Sequence, residues 1–430
     1  MRDAASAPHP ADSLRIALLT HRGNPYTGGQ GVYVSALSRE LARLGHRVHL
    51  ISGPPYPDAA EGVTFTQMQG LDLYRDGNPR WWPSLSRVRG PVDALEWATL
   101  HCWGVYPEAL AFSLRAQAYL RRSGVPYDIV HDNADLGYGL LRLRGAAPVV
   151  ATIHHPATVD RDFDVAAERG WHRRLAMRHW YGFTRMQGRV ARRISGLATV
   201  SWTARDALVD AFGVPADRVR VIEAGVDAEL FAPPREARVP GRVVAVVSSE
   251  GPLKGVADLL EAVARLHAER RLEVVLVASR TLPGGATQQA LERLGLRDVV
   301  RVESRLTSSR LAALVGSAQV AVVPSRYEGF SLPAVEAMAT ATPLVVTTAG
   351  AIPEIVGAPG TTALHVPPAD PVALAAAMRR LLDDPDLGAR LGAAGRARVL
   401  ERYTWQRTAA RTADWYRETI LSRAAATRRR

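Results

Sequence analysis

Short runs of valine, isoleucine and leucine alternate with longer segments of helical period along this chain, and that alternation leaves few folds open. Residues 14–20 read as a strand. Val32, Leu37, Leu41 and Leu44 then put an apolar stripe on a helix that stops at Gly45, and residues 46–51 read as a second strand. A strand, a helix and a strand in that order predict a parallel sheet with helices on both faces. Residues 127–131, 149–153, 197–201 and 219–222 continue the series. Residues 232–241, rich in proline and charge, read as a linker. A second series follows at 243–247, 272–278, 299–302, 320–323 and 344–346. Because 430 residues exceed what one core supports, the expected class is α/β, two Rossmann-like domains in tandem.

Composition narrows the function. A chain that is 47% hydrophobic and 22% charged is globular. The single cysteine, Cys102, excludes an internal disulfide framework and a cysteine-rich metal site. No uncharged apolar run reaches membrane-spanning length, and residues 1–10 read as a short disordered lead rather than a signal peptide, so a cytoplasmic protein is expected. The formal charge of +12 invites nucleic acid or an anionic membrane, yet the 42 acidic residues are spread along the chain. Lysine occurs once, at Lys254, so 54 − 1 = 53 of the basic residues are arginine. A bias so strong reads as genome composition, which makes its one exception informative.

Four places carry candidate chemistry. Residues 325–336 follow an apolar strand and lead into a helix near Leu332; a strand, a glycine turn and a helix N-terminus form an anion site. Glu328 and Glu336, eight positions apart, cannot both grip one phosphate and suit hydroxyls better; the plain alternative is a turn carboxylate and a solvated helix face. Residues 21–31 form a loop whose Gly28, Gly29 and Gly31 would let a ligand approach the backbone, or else make an ordinary strand-to-helix turn. His154 and His155 stand at the end of a strand, where open α/β sheets bind ligands. Lys254 follows a strand and opens a helix, where a compact cation meets phosphate.

Glutamate, seven residues, glutamate, with the first inside Glu328-Gly329-Phe330-Ser331-Leu332, resembles the nucleotide-sugar signature of retaining glycosyltransferases of family 4. The resemblance extends to Lys254-Gly255, to Gly225-Val226-Asp227 before the linker, and to the Thr-x-His that selects His154, with His155 in reserve. It implies a GT-B fold, two Rossmann-like domains facing a central cleft. Residues 1–235 would bind the acceptor, residues 241–403 the nucleotide sugar, and residues 404–430 would cross back onto the first domain. Glu328 would meet the donor sugar's hydroxyls, Glu336 the ribose, and the amides of Gly329, Phe330, Ser331 and Leu332 the diphosphate. His154, Lys254 and Glu328 are the implied catalytic residues. Gly28, Gly29 and Gly31 would lie between acceptor and donor phosphates. No metal and no cofactor beyond the nucleotide-sugar co-substrate are implied, and the leaving phosphate would take the acceptor's proton. One departure stands out: the family ordinarily has an arginine where Ser248 or Ser249 lies, with Arg22 and Arg305 as replacements to consider.

Residues 53–110 hold segments rich in Pro, Trp and Tyr, including residues 80–83, that build either an acceptor cleft or anchored surface loops. Residues 170–193 read as one helix. Ala176, Trp180, Phe183, Met186, Val190 and Ile194 share an apolar face, Arg174, Arg178, Arg185, Arg189 and Arg192 the other, and no acid intervenes. Such a helix docks on its own sheet or lies on an anionic membrane, as a peripheral protein with a membrane-proximal or lipid-linked acceptor would. Its aromatics avoid the arginines, which disfavours nucleic acid. Three other readings compete: an NAD-dependent oxidoreductase, weakened by the incomplete dinucleotide fingerprint; a sugar-nucleotide epimerase; and a non-catalytic basic adaptor with a degenerate donor site.

Overall fold

The structure, a computed structural model, describes residues 13–24, 29–72, 87–247, 251–278 and 285–428. The first strand series forms a seven-stranded sheet of β1 (Arg15–Thr20), β2 (Arg47–Ser52), β3 (Thr64–Gln67), β4 (Ile129–Asn133), β5 (Val149–Ile153), β6 (Gly196–Thr199) and β7 (Val219–Val221), in the order β3-β2-β1-β4-β5-β6-β7. The second forms a six-stranded sheet of β8 (Val239–Val247), β9 (Glu273–Ala278), β10 (Val300–Glu303), β11 (Ala318–Val323), β12 (Leu344–Thr347) and β13 (Leu364–Val366), in the order β10-β9-β8-β11-β12-β13. Every pairing is parallel, with Leu18, for example, flanked by Leu50 and His131.

Sheets of this kind are covered on both faces, so their strands are apolar without alternation. In β4 and β5 every residue is buried. That forces the polar residues of β4 to find partners inside. His131, fully buried, shares hydrogen bonds with the Tyr416 hydroxyl (2.5 Å) and Thr152 Oγ1 (2.8 Å). Tyr416 belongs to the final helix, Trp405–Arg428, which buries Trp405, Ala409, Ala413, Trp415 and Tyr416 in the core beneath the first sheet. Exposed ion pairs from Arg220 to Glu418 and from Arg411 to Glu223 run along its edge.

The strand order reverses between β1 and β4 in the first sheet and between β8 and β11 in the second. Open α/β sheets bind ligands at the carboxyl ends of their strands beside such a reversal. The two reversals point toward one another across the gap between the sheets, since the turn after β11 meets the turn after β5: a Cβ on Gly329 would stand 2.6 Å from the carbonyl oxygen of His154.

Several local expectations need correction. Residues 170–193 are not one helix: Trp171–Trp180 is followed by a 3-10 turn, Tyr181–Phe183, and then by Thr184–Ala191. Only the second half buries its apolar face, through Met186 and Val190, while Trp171–Trp180 buries no residue. The proposed arginine face is broken as well, because Arg189 donates to the Tyr138 hydroxyl at 3.0 Å and Arg192 to the Phe212 carbonyl. The expected linker ends early, with β8 already paired at Val239. Helix Gly29–Arg43 starts inside the expected glycine loop, so Gly29 and Gly31 sit on its first turn. Among the described residues no helix is long and apolar enough to cross a membrane.

Candidate functional site

A cavity of about 280 Å³ opens between the two sheets, lined by residues of both. From the first domain come Gly29, Gln30, Tyr33, His154 and His155; from the second come Lys254, Glu328, Gly329, Phe330, Ser331 and Leu332. Lys254 sits in the turn after β8 and Glu328 in the turn after β11, on the two sides of the second sheet's reversal. Lys254 Nζ donates to Glu328 Oε1 at 2.8 Å, and Ser325 Oγ donates to the same oxygen at 2.7 Å. Both side chains are mostly buried, so the pair is weakly screened and its geometry is held. Local backbone fixes it further. Gly255, at φ +62°, lies against the Pro324 carbonyl, and Gly350, at φ +56°, against the backbone of Glu328, whose carbonyl accepts from Ala351 N at 2.9 Å.

The helix Leu332–Ala339 begins at Ser331, held at φ +86° in the left-handed region that a non-glycine residue rarely occupies. The first N–H groups of a helix have no intrahelical acceptor and point out of its end, here into the cavity. The buried Ser331 hydroxyl has no hydrogen-bond partner among the described residues. A polar cradle of this kind, at a helix N-terminus beside a lysine, has the chemistry to accept an anion.

His154 enters from the end of β5. Its Nε2 is 2.9 Å from Asn133 Oδ1, an acceptor, so Nε2 carries the proton and Nδ1 is left as the acceptor. The ring packs edge-on against Tyr33, centroids 4.7 Å apart. Burial, with a smaller contribution from His155, pushes the His154 pKa down to about 3, so the ring is neutral. His155 behaves oppositely: burial alone would lower its pKa, but the hydrogen bond (2.8 Å) and charge of Asp160 outweigh burial and raise it.

The structure therefore brings His154, Lys254, Glu328, Gly29 and residues 329–332 together. Glu336 is placed apart. It lines a neighbouring cavity of about 130 Å³ with Gly31, Asp227 and Trp405, and Leu332 borders both spaces. Burial raises its carboxyl to about 7. Gly31 is required sterically, since a Cβ would fall onto the Asn24 carbonyl. Arg22 and Arg305 do not replace the arginine expected near Lys254: Arg22 is held by Glu108 through bonds of 2.6 and 2.8 Å, Arg305 is exposed, and neither lines the cavity. Gly28, Ser248, Ser249 and residues 80–83 lie outside the described residues. Among those described, no group of three or more His, Cys, Asp or Glu side chains could hold a metal ion.

Sequence reading missed the residues that hold these groups. Asn133 orients His154, Ser325 supports Glu328, and Ser201 Oγ donates to the Gly329 carbonyl at 2.6 Å across the domain boundary. Glu354 of the second domain caps the helix Trp202–Phe212 of the first, accepting from Trp202 N at 2.9 Å and Thr203 N at 3.2 Å. None sits in a recognisable spacing.

Comparison with known proteins bears on the family and the fold. Residues 27–230 match the family model described as Glycosyltransferase Family 4, and residues 241–384 the one described as Glycosyl transferases group 1. The chain is 47% identical to an MMP alpha-(1->4)-mannosyltransferase of Mycolicibacterium hassiacum, over 96% of this chain and all of the relative. It is 30% identical to a D-inositol 3-phosphate glycosyltransferase of Kineococcus radiotolerans, over 96% of this chain and 95% of that one. Among solved structures, the sucrose-phosphate synthase of Thermosynechococcus elongatus superposes with a TM-score of 0.72 at 24% identity, covering 95% of this chain and all of that chain. The architecture is GT-B, and the chain belongs to family 4 of the glycosyltransferases.

Proposed function

We propose that this enzyme moves a hexosyl group, mannose in the first instance, from a nucleoside diphosphate sugar to an acceptor hydroxyl with retention at the anomeric carbon. The observation that carries this reading is the meeting of Lys254, Glu328 and His154, from three strand ends of two domains, in one cavity at a helix N-terminus. Mannose is favoured because the relative at 47% identity is a mannosyltransferase. In this reading Lys254 leaves Glu328 to meet the diphosphate with the amides of residues 329–332, and Glu328 accepts hydrogen bonds from the sugar hydroxyls. Charge-assisted donors aimed at a developing anion are worth roughly 3–4 kcal/mol in a transition state. The bond from the anomeric carbon to the diphosphate breaks, the acceptor oxygen bonds on the same face, and the leaving phosphate takes the acceptor's proton. Neutral His154 accepts a hydrogen bond from a hydroxyl of the reacting sugar through Nδ1, and Glu336 meets the ribose from its neighbouring cavity. No metal is needed for these steps.

A thermal-shift panel of GDP-mannose, GDP-glucose, UDP-glucose and ADP-glucose tests the donor, because a ligand that binds the folded state raises its melting temperature by mass action. GDP-mannose should shift it most, and NMR of the product's anomeric proton should show the donor's configuration. Stabilisation by NADH alone, or an inverted product, would sink the reading. A membrane-proximal acceptor remains a second reading, because Trp171 and Leu175 are exposed on the same side of their helix as Arg174 and Arg178. Flotation with phosphatidylglycerol vesicles, lost in Trp171→Ala and in high salt, is its test.

A further inference from the structure

The helix Trp202–Phe212 follows β6, and its own sequence leaves its N-terminus half finished. Ser201 is an N-cap of the preferred kind, its Oγ accepting from Ala204 N at 2.9 Å. A capping box would put Glu or Gln at position 204, but a fully buried alanine stands there, and the first turn carries no acid. The N–H groups of Trp202 and Thr203, at the positive end of the helix dipole, must find an acceptor elsewhere. Glu354 of the second domain, 152 positions from Trp202, is that acceptor. Its Oε1 accepts from Trp202 N at 2.9 Å, and its Oε2 from Thr203 N at 3.2 Å and from the Thr203 hydroxyl at 3.4 Å.

Glu354 is held from behind and tied in front to the donor site. It lies in the five-residue helix Ile352–Val356. Arg398 grips that helix, Nη2 donating to the Glu354 carbonyl at 3.0 Å and Nε to the Ile355 carbonyl at 2.7 Å. In front, Ala351 N donates to the Glu328 carbonyl at 2.9 Å, and Gly350 stands so close that a Cβ there would meet the same oxygen at 2.3 Å. One short, tightly packed turn thus joins the capping carboxylate to Glu328. A second route runs through the cap itself: Ser201 Oγ, while accepting from its own helix, donates to the Gly329 carbonyl at 2.6 Å. The start of the first-domain helix therefore reaches the Glu328–Gly329 turn twice, directly through Ser201 and indirectly through Glu354.

An acid whose sole task was to stabilise this helix could stand at position 203, which is only partly buried. Placed on the other domain, it makes the helix's first bonds conditional on the two domains meeting. We propose that Glu354 is a positioning residue for the transfer reaction: it caps the helix Trp202–Phe212 only when the second domain stands where the Glu328–Gly329 turn meets His154, so that cap and donor site form together. The inference rests on the glycosyl-transfer reading above for its rate readout and is independent of it for its exchange readout.

The test reads amide hydrogen exchange at Trp202 and Thr203 in the full chain, neither of which lines the donor cavity. Whichever of GDP, UDP and ADP raises the melting temperature should slow both amides about tenfold in the parent, and in Glu354→Ala both should exchange fast with or without nucleotide. In the same variant kcat for hexosyl transfer should fall about tenfold, with donor KM changed less. Glu354→Ala combined with Thr203→Asp returns an acid to the first turn in cis; it should recover the melting temperature and not kcat. Recovery of kcat as well would make Glu354 a helix stabiliser and overturn the proposal, as would parental kcat in Glu354→Ala or exchange in the parent that ignores bound nucleotide. Nucleotide-linked exchange in a chain that transfers nothing from GDP-mannose would sustain the latch and sink the mannosyl reading. Mannosyl transfer that is unchanged in Glu354→Ala would do the reverse.

Discussion

Gly329→Ala tests whether the catalytic geometry depends on the close approach of the two domains. The new Cβ would stand 2.6 Å from the His154 carbonyl oxygen and 3.1 Å from His155 Cβ, where ordinary contact begins at 3.4 Å. The turn must therefore retreat by 3.4 − 2.6 = 0.8 Å, or the domains must part by that much. Neither neighbour yields easily, because the His154 oxygen is backbone and Gly329 is itself tied to Ser201 at 2.6 Å. Overpacking of this kind costs about 1–3 kcal/mol, while a misplacement near 1 Å at a reacting centre costs on the order of 100-fold in rate. Each domain keeps buried residues of its own away from this contact, so circular-dichroism melting should fall only modestly. Initial rates with saturating donor and acceptor should fall about 100-fold, mainly in kcat. A variant that turns over within about twofold of the parent and melts identically would show that the interface adapts and that close approach at Gly329 has no catalytic value.

Glu328→Gln should lower kcat far more than it raises KM, whereas Glu336→Gln should act on donor KM; equal, purely KM effects from both would refute the division of labour drawn from their separate cavities. Lys254→Arg should lose most activity despite keeping charge, because a wide planar fork approaches phosphate oxygens at a different angle from the compact ammonium that now rests 2.8 Å from Glu328; normal turnover would remove Lys254 from the phosphate site. Acid should destabilise the fold through His131 and His154, both lowered to about 3 by burial. The unfolded chain binds their protons below about pH 6.5 and the folded chain does not, so this stability is complete above pH 6.5 and is lost as pH falls, by about 2 kcal/mol each at pH 5. His21 and His155, raised by Asp135 and Asp160 despite burial, offset part of it. His154→Gln should accordingly lose about 2 kcal/mol less than the parent between pH 7.5 and 5 in urea titrations, and an unchanged slope would contradict its buried neutrality. Activity should survive exhaustive EDTA treatment; loss restored by a divalent cation would show that a metal takes part.

Strands were legible where burial on both faces made them continuously apolar, as in β1, β5 and β11. β3, with the sequence TFTQ, and the three-residue β13 carry no such signal, since edge positions impose a weaker demand. The helix break at 181–183 was hidden because the apolar period runs through it unchanged. Tertiary contacts, Trp180 against Tyr106 and the Tyr181 hydroxyl on Asp164, show that the first half packs on different neighbours. At the site, Lys254, Glu328 and His154 could each be singled out by local context. Their mutual arrangement could not: the lysine and glutamate that share a 2.8 Å bond lie 74 positions apart, and Asn133 meets His154 only because β4 and β5 are adjacent.

The final helix, Trp405–Arg428, has a consequence for the order in which the molecule can be made. Its Trp415 and Tyr416 complete the core beneath a sheet whose other strands end at Val221. During synthesis, domains usually fold as they emerge, the N-terminal one first. Here the first half to leave the ribosome is the last to be finished: it must wait, with His131 bonded to Thr152 but lacking its Tyr416 partner and the hydrophobic seat of Tyr416 open, while the whole of the second sheet is translated. The half made later has its strands contiguous in the chain and can close on its own. Nascent chains stalled before residue 405 should therefore recruit chaperones through their N-terminal half, and release from them should coincide with the emergence of the last twenty or so residues.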